Sequence, residues 1–343
     1  MPELTKQEMK NVIDGKGAAS RIPLTYHLWA SAGIFGEYAD TAGEVLRQCP
    51  CDVDIITINI PQIFDAPADD PEYRFVNKSA PADTNASTGL DARVAIENWE
   101  ELDEILERFP SPEYPGLIPQ AEKTEKYRVI NWWYWMFERL WSLRGMENAL
   151  TDFYTDPEGV HRLFSKLTDF YCRIAERGKQ ELDADAVFIS DDIGTQTGPF
   201  FSMEIFNEFF KPYYKRLIDK AHSLGMHVWM HSCGNIELYL PGFIEIGLDV
   251  IHPIQTYTME EAKIAREFGD KICIWAGFDV QQTIPYGTPD EARVEVRRMI
   301  DTYAREDGRF MLTFGNFLTP DCPVESLRAV LEESLAYGTP AGR

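Results

Sequence analysis

Positive charge is scarce in this chain: 33 lysines and arginines stand against 56 aspartates and glutamates, a formal net charge of -23 over 343 residues. That balance argues against binding nucleic acid or an anionic membrane surface, because phosphates are gripped by basic patches. Cysteine is also sparse. The six cysteines, at positions 49, 51, 172, 233, 273 and 322, lack the density of a disulfide framework. No apolar run approaches the roughly 20 residues that span a bilayer. The opening Met1–Lys10 is polar and mixed in charge, unlike a signal peptide. Asn77-Lys-Ser and Asn85-Ala-Ser match the glycosylation sequon, which has meaning only in a secreted chain. The expectation is a soluble cytoplasmic protein.

Apolar and aromatic residues are plentiful. The sequence is 44% hydrophobic and 13% aromatic, with eight tryptophans, enough for a large core and suggestive of a spacious apolar cavity. Apolar strand-like runs alternate with amphipathic helical stretches. Strands are predicted near residues 22, 54, 128, 186, 227, 249, 272 and 310, each followed by a helix. Thr288-Pro289-Asp290-Glu291 is a strong helix start, and Pro212 predicts a kink in the helix Met203–Leu224. Residues 62–124 are acidic and rich in Pro, Asn, Ser and Thr. They read as an excursion after the second strand rather than a domain with its own core. Eight βα steps imply a parallel sheet closed into one (β/α)8 barrel over residues 1–343.

In such a barrel the active site lies at the C-terminal ends of the strands. His27, Asn59, Asn131, Asp191, Asp192, His231, Cys233, Gln255, Asp279 and Asn316 all fall at or just after predicted strand ends. The sharpest cluster is His227–Gly234, H-V-W-M-H-S-C-G: a buried strand that ends in His231-Ser-Cys233. Imidazole and sulfur two residues apart point the same way, and zinc is the usual occupant of mixed nitrogen and sulfur sites. A lone His or Cys at such a place is more often a packing residue, so further ligands are required. Asp191, Asp192, His252 and Cys322 are the candidates. Cys273 opens its strand at the barrel bottom and is set aside. Asp191 and Asp192 face opposite ways on a strand, so one reaches the site and the other is free to act as a cap. Asn316, Gln255 and Asn131 are candidate polar contacts to a substrate, and Tyr26, Trp29, Trp132 and Trp135 candidate walls for a flat ring.

Several stretches together resemble the uroporphyrinogen decarboxylase superfamily. They are Asp191-Asp192-Ile-Gly-Thr-Gln, Pro212 within F-F-K-P-Y-Y-K-R, His231-Ser-Cys-Gly-Asn, Gly247-Leu-Asp-Val and Pro253-Ile-Gln255. The closing Gly315…Thr319-Pro320…Pro323-Val-Glu-Ser belongs with them. The resemblance is dense from Phe137 to Tyr337 and implies a single (β/α)8 domain. It offers two chemistries. The decarboxylases carry an Arg-rich N-terminal segment that grips porphyrinogen carboxylates, whereas Tyr26–Gly36 here contains no Arg. The corrinoid-dependent methyltransferases hold zinc through His-x-Cys and a distant Cys. His231 and Cys233 match the first two ligands. Asn316 stands where thiol-methylating members have the third, leaving Cys322 further along the chain.

The resemblance therefore points to the O-demethylase methyltransferases. They take a methyl group from a methoxylated aromatic compound and pass it to Co(I) of a corrinoid (cobalamin) on a separate protein. Zinc is expected on His231, Cys233 and Cys322, with Asp191, Asp192 and Asn316 as catalytic candidates. The alternatives are a related corrinoid methyltransferase acting on a thiol, an amine or a methanol-derived methyl group, and a decarboxylase-like tetrapyrrole-binding protein.

Overall fold

A computed structural model describes residues 1–76, 94–340 and 342. Asn77, Asn85 and residues 77–93 of the 62–124 excursion lie outside the described residues. Seven parallel strands are hydrogen-bonded in chain order: β1 (Val53–Thr57), β2 (Tyr127–Trp132), β3 (Ala186–Ser190), β4 (His227–His231), β5 (Val250–His252), β6 (Cys273–Phe278) and β7 (Phe310–Phe314). Parallel neighbours need a crossover connection, and helices such as Pro157–Leu182 and Pro289–Tyr303 supply it. The architecture is the α/β barrel that the alternation predicts. Ser190, His231 and His252 are level with one another across β3, β4 and β5, so three strand ends finish in one layer.

The expected first strand, Ile22–His27, is reduced to one parallel bridge between Leu24 and Leu312 of β7. Pro23 has no N–H to offer a ladder, and the Leu24 N–H donates to the Asp52 carboxylate at 2.8 Å instead of to a strand. The segment still bonds on both sides. Thr25 N–H donates to the Leu312 carbonyl (3.0 Å), Leu312 N–H to Pro23 (2.9 Å) and Asp52 N–H to Leu24 (3.0 Å). It thus bridges β7 to the start of β1 and occupies the eighth position. The same Asp52 carboxylate receives the buried Arg21 guanidinium through both of its oxygens. That geometry compensates two charges taken out of water.

The helices start where their caps stand. Thr5 and Glu8 form a capping box ahead of Lys6–Asp14, and Thr288 with Glu291 does the same for Pro289–Tyr303. The helix predicted over 203–224 breaks into Met203–Ile205, a π-helical turn Phe206–Phe210, and Lys211–Ser223. Pro212 lacks the N–H that a regular turn would use, and the widened turn comes just before it.

Aromatic side chains pack into the barrel interior. Trp229 meets Trp275 edge-on at 5.0 Å, and Phe188 meets Trp275 at 5.3 Å. Trp29 closes the layer above them, 6.1 Å from Trp275. The described parts of the excursion bury Ile63, Tyr73, Phe75 and Leu102 in the same continuous core. Among the described residues no helix is long and apolar enough to cross a membrane.

Candidate metal centre

The loops after β3 and β4 are pressed together at two glycines. A Cβ on Gly234, whose φ is +82°, would lie 2.4 Å from the backbone of Gly194. Thr195 and Asn235 bridge across the same contact. This close approach carries Asp192, two residues before Gly194, against Cys233. Asp192 Oδ1 accepts the Cys233 N–H at 2.7 Å. His231, at the end of β4, sends Nε2 to the same point, 3.3 Å from Cys233 Sγ and 3.5 Å from Asp192 Oδ1. One ligand atom from each of Asp192, His231 and Cys233 lies within 4.8 Å of the others, the only such group of metal-ligand side chains among the described residues.

The donor set suits zinc. Tetrahedral bonds of about 2.0 Å to nitrogen and 2.3 Å to sulfur put the two ligand atoms roughly 3.5 Å apart, and nitrogen and oxygen ligands stand slightly closer. The two separations from His231 Nε2 are within a few tenths of an ångström of those values. Burial holds His231 neutral, below the usual imidazole range, against the pull of Asp192. Burial also drives the Cys233 thiol far above its ordinary range, and the Asp192 charge adds to the effect. In the metal-free protein that sulfur is a thiol, and a bound cation has to displace its proton.

Asp191 and Asp192 part company, as alternation along a strand requires. Asp191 is fully buried, and its carboxylate accepts the N–H groups of Met136, Phe137 and Glu138 and the Tyr214 hydroxyl. It caps the helix Phe137–Arg144 and does not reach the ligand group; burial pushes its carboxyl up to about 6. Cys322 does not reach the group either. Its loop turns back on itself, with Cys322 N–H bonded to the Thr319 carbonyl and Sγ 3.7 Å from the Thr319 hydroxyl. Asp192 is the third member of the group that could hold a cation.

The polar candidates hold the loops. Gln255 Oε1 accepts the Gly234 N–H at 2.7 Å, and Asn316 Nδ2 donates to Cys233 Sγ at 3.5 Å. Asn131 accepts from Thr57 below them, and its Nδ2 is without a partner. Of the four aromatic candidates only Trp29 lies at the centre, its ring 5.4 Å from that of His231. Tyr26 is turned away, its hydroxyl donating to the Leu46 and Cys49 carbonyls. Trp132 stacks on Tyr171 of the outer helix Pro157–Leu182 and Trp135 on Tyr214 of the helix Lys211–Ser223, both outside the barrel. Trp133 also stands against His231, edge-on at 6.3 Å, with Phe317 6.0 Å beyond it. Period two counted from the inward Asn131 would have singled out Trp133.

A second carboxyl was also missed. Glu138, in the first turn of the helix that Asp191 caps, is buried with Oε2 unpartnered. Burial, then the charges of Asp192 and Asp191, hold it well above the usual carboxylate range. Beside Cys233 opens a small cleft of about 60 Å³. Among the described residues its polar lining is Gln255, Thr256, Asp279, Gln281 and Asn316, with no lysine or arginine.

The family model for uroporphyrinogen decarboxylase (URO-D) matches residues 140–337, more than half of the sequence. The chain belongs to the uroporphyrinogen decarboxylase family. It is 26% identical over 200 residues to a uroporphyrinogen decarboxylase of Chlorobium phaeobacteroides, 54% of this chain and 52% of that one. It is 26% identical over 160 residues to a methylated-thiol--coenzyme M methyltransferase of Methanosarcina mazei, 46% of this chain and 41% of that one. The chain thus spans about half the length of the curated relatives it matches. The solved structure of a methyltransferase from Methanosarcina mazei superposes with a TM-score of 0.63 at 12% identity, covering 98% of this chain and 99% of that one. At that identity the likeness is one of fold. The family match includes β3 to β7, and with them Asp192, His231 and Cys233.

Proposed function

We propose that this member of the uroporphyrinogen decarboxylase family is a zinc-dependent methyltransferase. It takes a methyl group from a methoxylated aromatic compound and gives it to the reduced cobalt of a corrinoid on a separate protein. The observation that carries the reading is the imidazole, sulfur and carboxylate of His231, Cys233 and Asp192, spaced for one tetrahedral cation beside an open cleft. Three protein ligands with a place left for substrate is the pattern of a catalytic zinc. A bound zinc would supply Lewis acidity to the oxygen that must leave as a phenolate.

The rest falls to the chain. Trp133, beside His231, and Phe317, beside Trp133, offer ring surface for a flat substrate, packed on the buried Trp29. Glu138 keeps a proton close to the same centre for the departing oxygen. The C–O electron pair stays on oxygen, and the methyl carbon goes to cobalt. The corrinoid protein has to reach over the barrel mouth. Exposed apolar side chains stand there in the loops after β3 to β7: Phe200, Leu238, Tyr257, Tyr286 and Phe317. With the net charge of -23, such a rim suits a partner that has an apolar patch and a basic surround.

A cleft whose described lining holds no lysine or arginine is poorly suited to a polycarboxylated tetrapyrrole, which counts against decarboxylation. The match to a methylated-thiol methyltransferase favours a thiol as the second reading. The test is methyl transfer from methoxyarenes to free Co(I) cobalamin, run beside methylation of a thiol by methylcobalamin. Demethylation of a methoxyarene is the expected outcome. Thiol methylation without it would overturn the substrate class, and inactivity in both arms would overturn the methyltransferase.

A further inference from the structure

We propose that His252, in a role that rests on the metal site of that reading, is a positioning residue that sets the tautomer of His231. It keeps the His231 Nε2 lone pair free for a cation. The Phe314 carbonyl oxygen, which only accepts, stands 3.0 Å from His252 Nε2, so that nitrogen carries a proton. A neutral imidazole has one such proton, which leaves His252 Nδ1 an acceptor. Facing it at 2.8 Å is His231 Nδ1, which therefore donates. The His231 proton is then spent on its own Nδ1. Nε2 is left with its lone pair, 3.3 Å from Cys233 Sγ and 3.5 Å from Asp192 Oδ1.

The opposite assignment would turn an N–H toward Asp192 Oδ1 at 3.5 Å but fails at both contacts behind the ring. A proton on His231 Nε2 would set two lone pairs against each other at 2.8 Å, or would require a proton on His252 Nδ1 and leave the Phe314 carbonyl facing a bare nitrogen. Both rings are buried, where an unmade hydrogen bond is costly. The His252 plane is clamped as well, stacked on Trp29 at 4.8 Å with Trp275 at 4.6 Å. Both of its nitrogens are engaged, so His252 supports a ligand and is not one. The relay joins the ends of β4, β5 and β7. It does for His231 what a carboxylate or carbonyl does for a metal-bound imidazole elsewhere.

Long-range 1H–15N NMR of the metal-free, histidine-labelled protein reads the tautomers directly. His231 is expected with its proton on Nδ1 and His252 with its proton on Nε2. His252→Phe removes the acceptor, moves the His231 proton to Nε2, and weakens zinc binding ten- to a hundredfold. His252→Gln carries an oxygen for His231 and an N–H for Phe314, so it restores most of that affinity. A wild-type spectrum with the proton on His231 Nε2 would overturn the assignment. So would a folded His252→Phe protein that binds zinc as tightly as wild type. If that variant does not fold, the wild-type spectrum decides. The expected tautomer in a protein that binds zinc but transfers no methyl group would uphold the relay and reject the proposed function.

Discussion

Asp192 and Cys233 are joined by a single short bond, the Cys233 N–H to Asp192 Oδ1 at 2.7 Å, although 41 residues of chain separate them. The same carboxylate oxygen is 3.5 Å from His231 Nε2, so one atom both ties the two loops and completes the ligand group. Asp192→Asn keeps an oxygen for the backbone N–H and removes the charge. It is expected to leave thermal stability near wild type while lowering zinc affinity at least tenfold. Competition against a chromogenic chelator measures this. Unchanged affinity would remove Asp192 from the shell.

Zinc binding is expected to release about one proton, taken from the Cys233 thiol that burial keeps protonated. Acid competes with the metal, so affinity falls about tenfold for each unit of decreasing pH below the thiol range. Burial keeps His231 neutral, and it adds no second proton. Calorimetry in buffers of different ionisation enthalpy counts the protons. A count of zero would mean that Cys233 is already a thiolate or is not a ligand.

Asp191→Ala separates stability from metal binding. It strips the acceptor from three backbone N–H groups and the Tyr214 hydroxyl, all buried. The expected loss is about 2–4 kcal/mol of folding free energy. Stoichiometric zinc should persist, since Asp191 lies outside the ligand group. Denaturant unfolding with parallel metal analysis checks both halves. Loss of zinc from a still-folded protein would contradict the assignment.

Among the tryptophans, position rather than number decides the effect. Trp133→Ala, beside His231, and Phe317→Ala, beside Trp133, are expected to raise KM for a methoxyarene severalfold with little change in melting temperature. Trp132→Ala, stacked on Tyr171 outside the barrel, should destabilise by roughly 3–5 kcal/mol and leave KM alone. Steady-state kinetics and thermal melts on the same preparations distinguish the two faces.

The alternation of strands and helices was legible because burial periodicity is local, and β2 to β7 fall within a few residues of their predicted places. The eighth strand was legible as a segment but not in its bonding. Only the fold shows that the Asp52 carboxylate takes the Leu24 N–H that a ladder would have used. The tryptophan cluster at 132–135 was readable as a group. Which ring faces inward depends on the register in which β2 enters the sheet, and that is a matter of pairing with β1 and β3.

By itself the sequence determined that His231 and Cys233 share one end of one strand, since two residues along a strand always return to the same face. It determined too that only one of the neighbouring aspartates can accompany them. The tertiary structure alone decided that Asp192 is that one, that Cys322 stays away, and that His252 and the Phe314 carbonyl stand behind His231. Those placements depend on how loops from different strands close on one another at Gly194 and Gly234, and contacts between segments tens of residues apart leave no periodic mark in the chain.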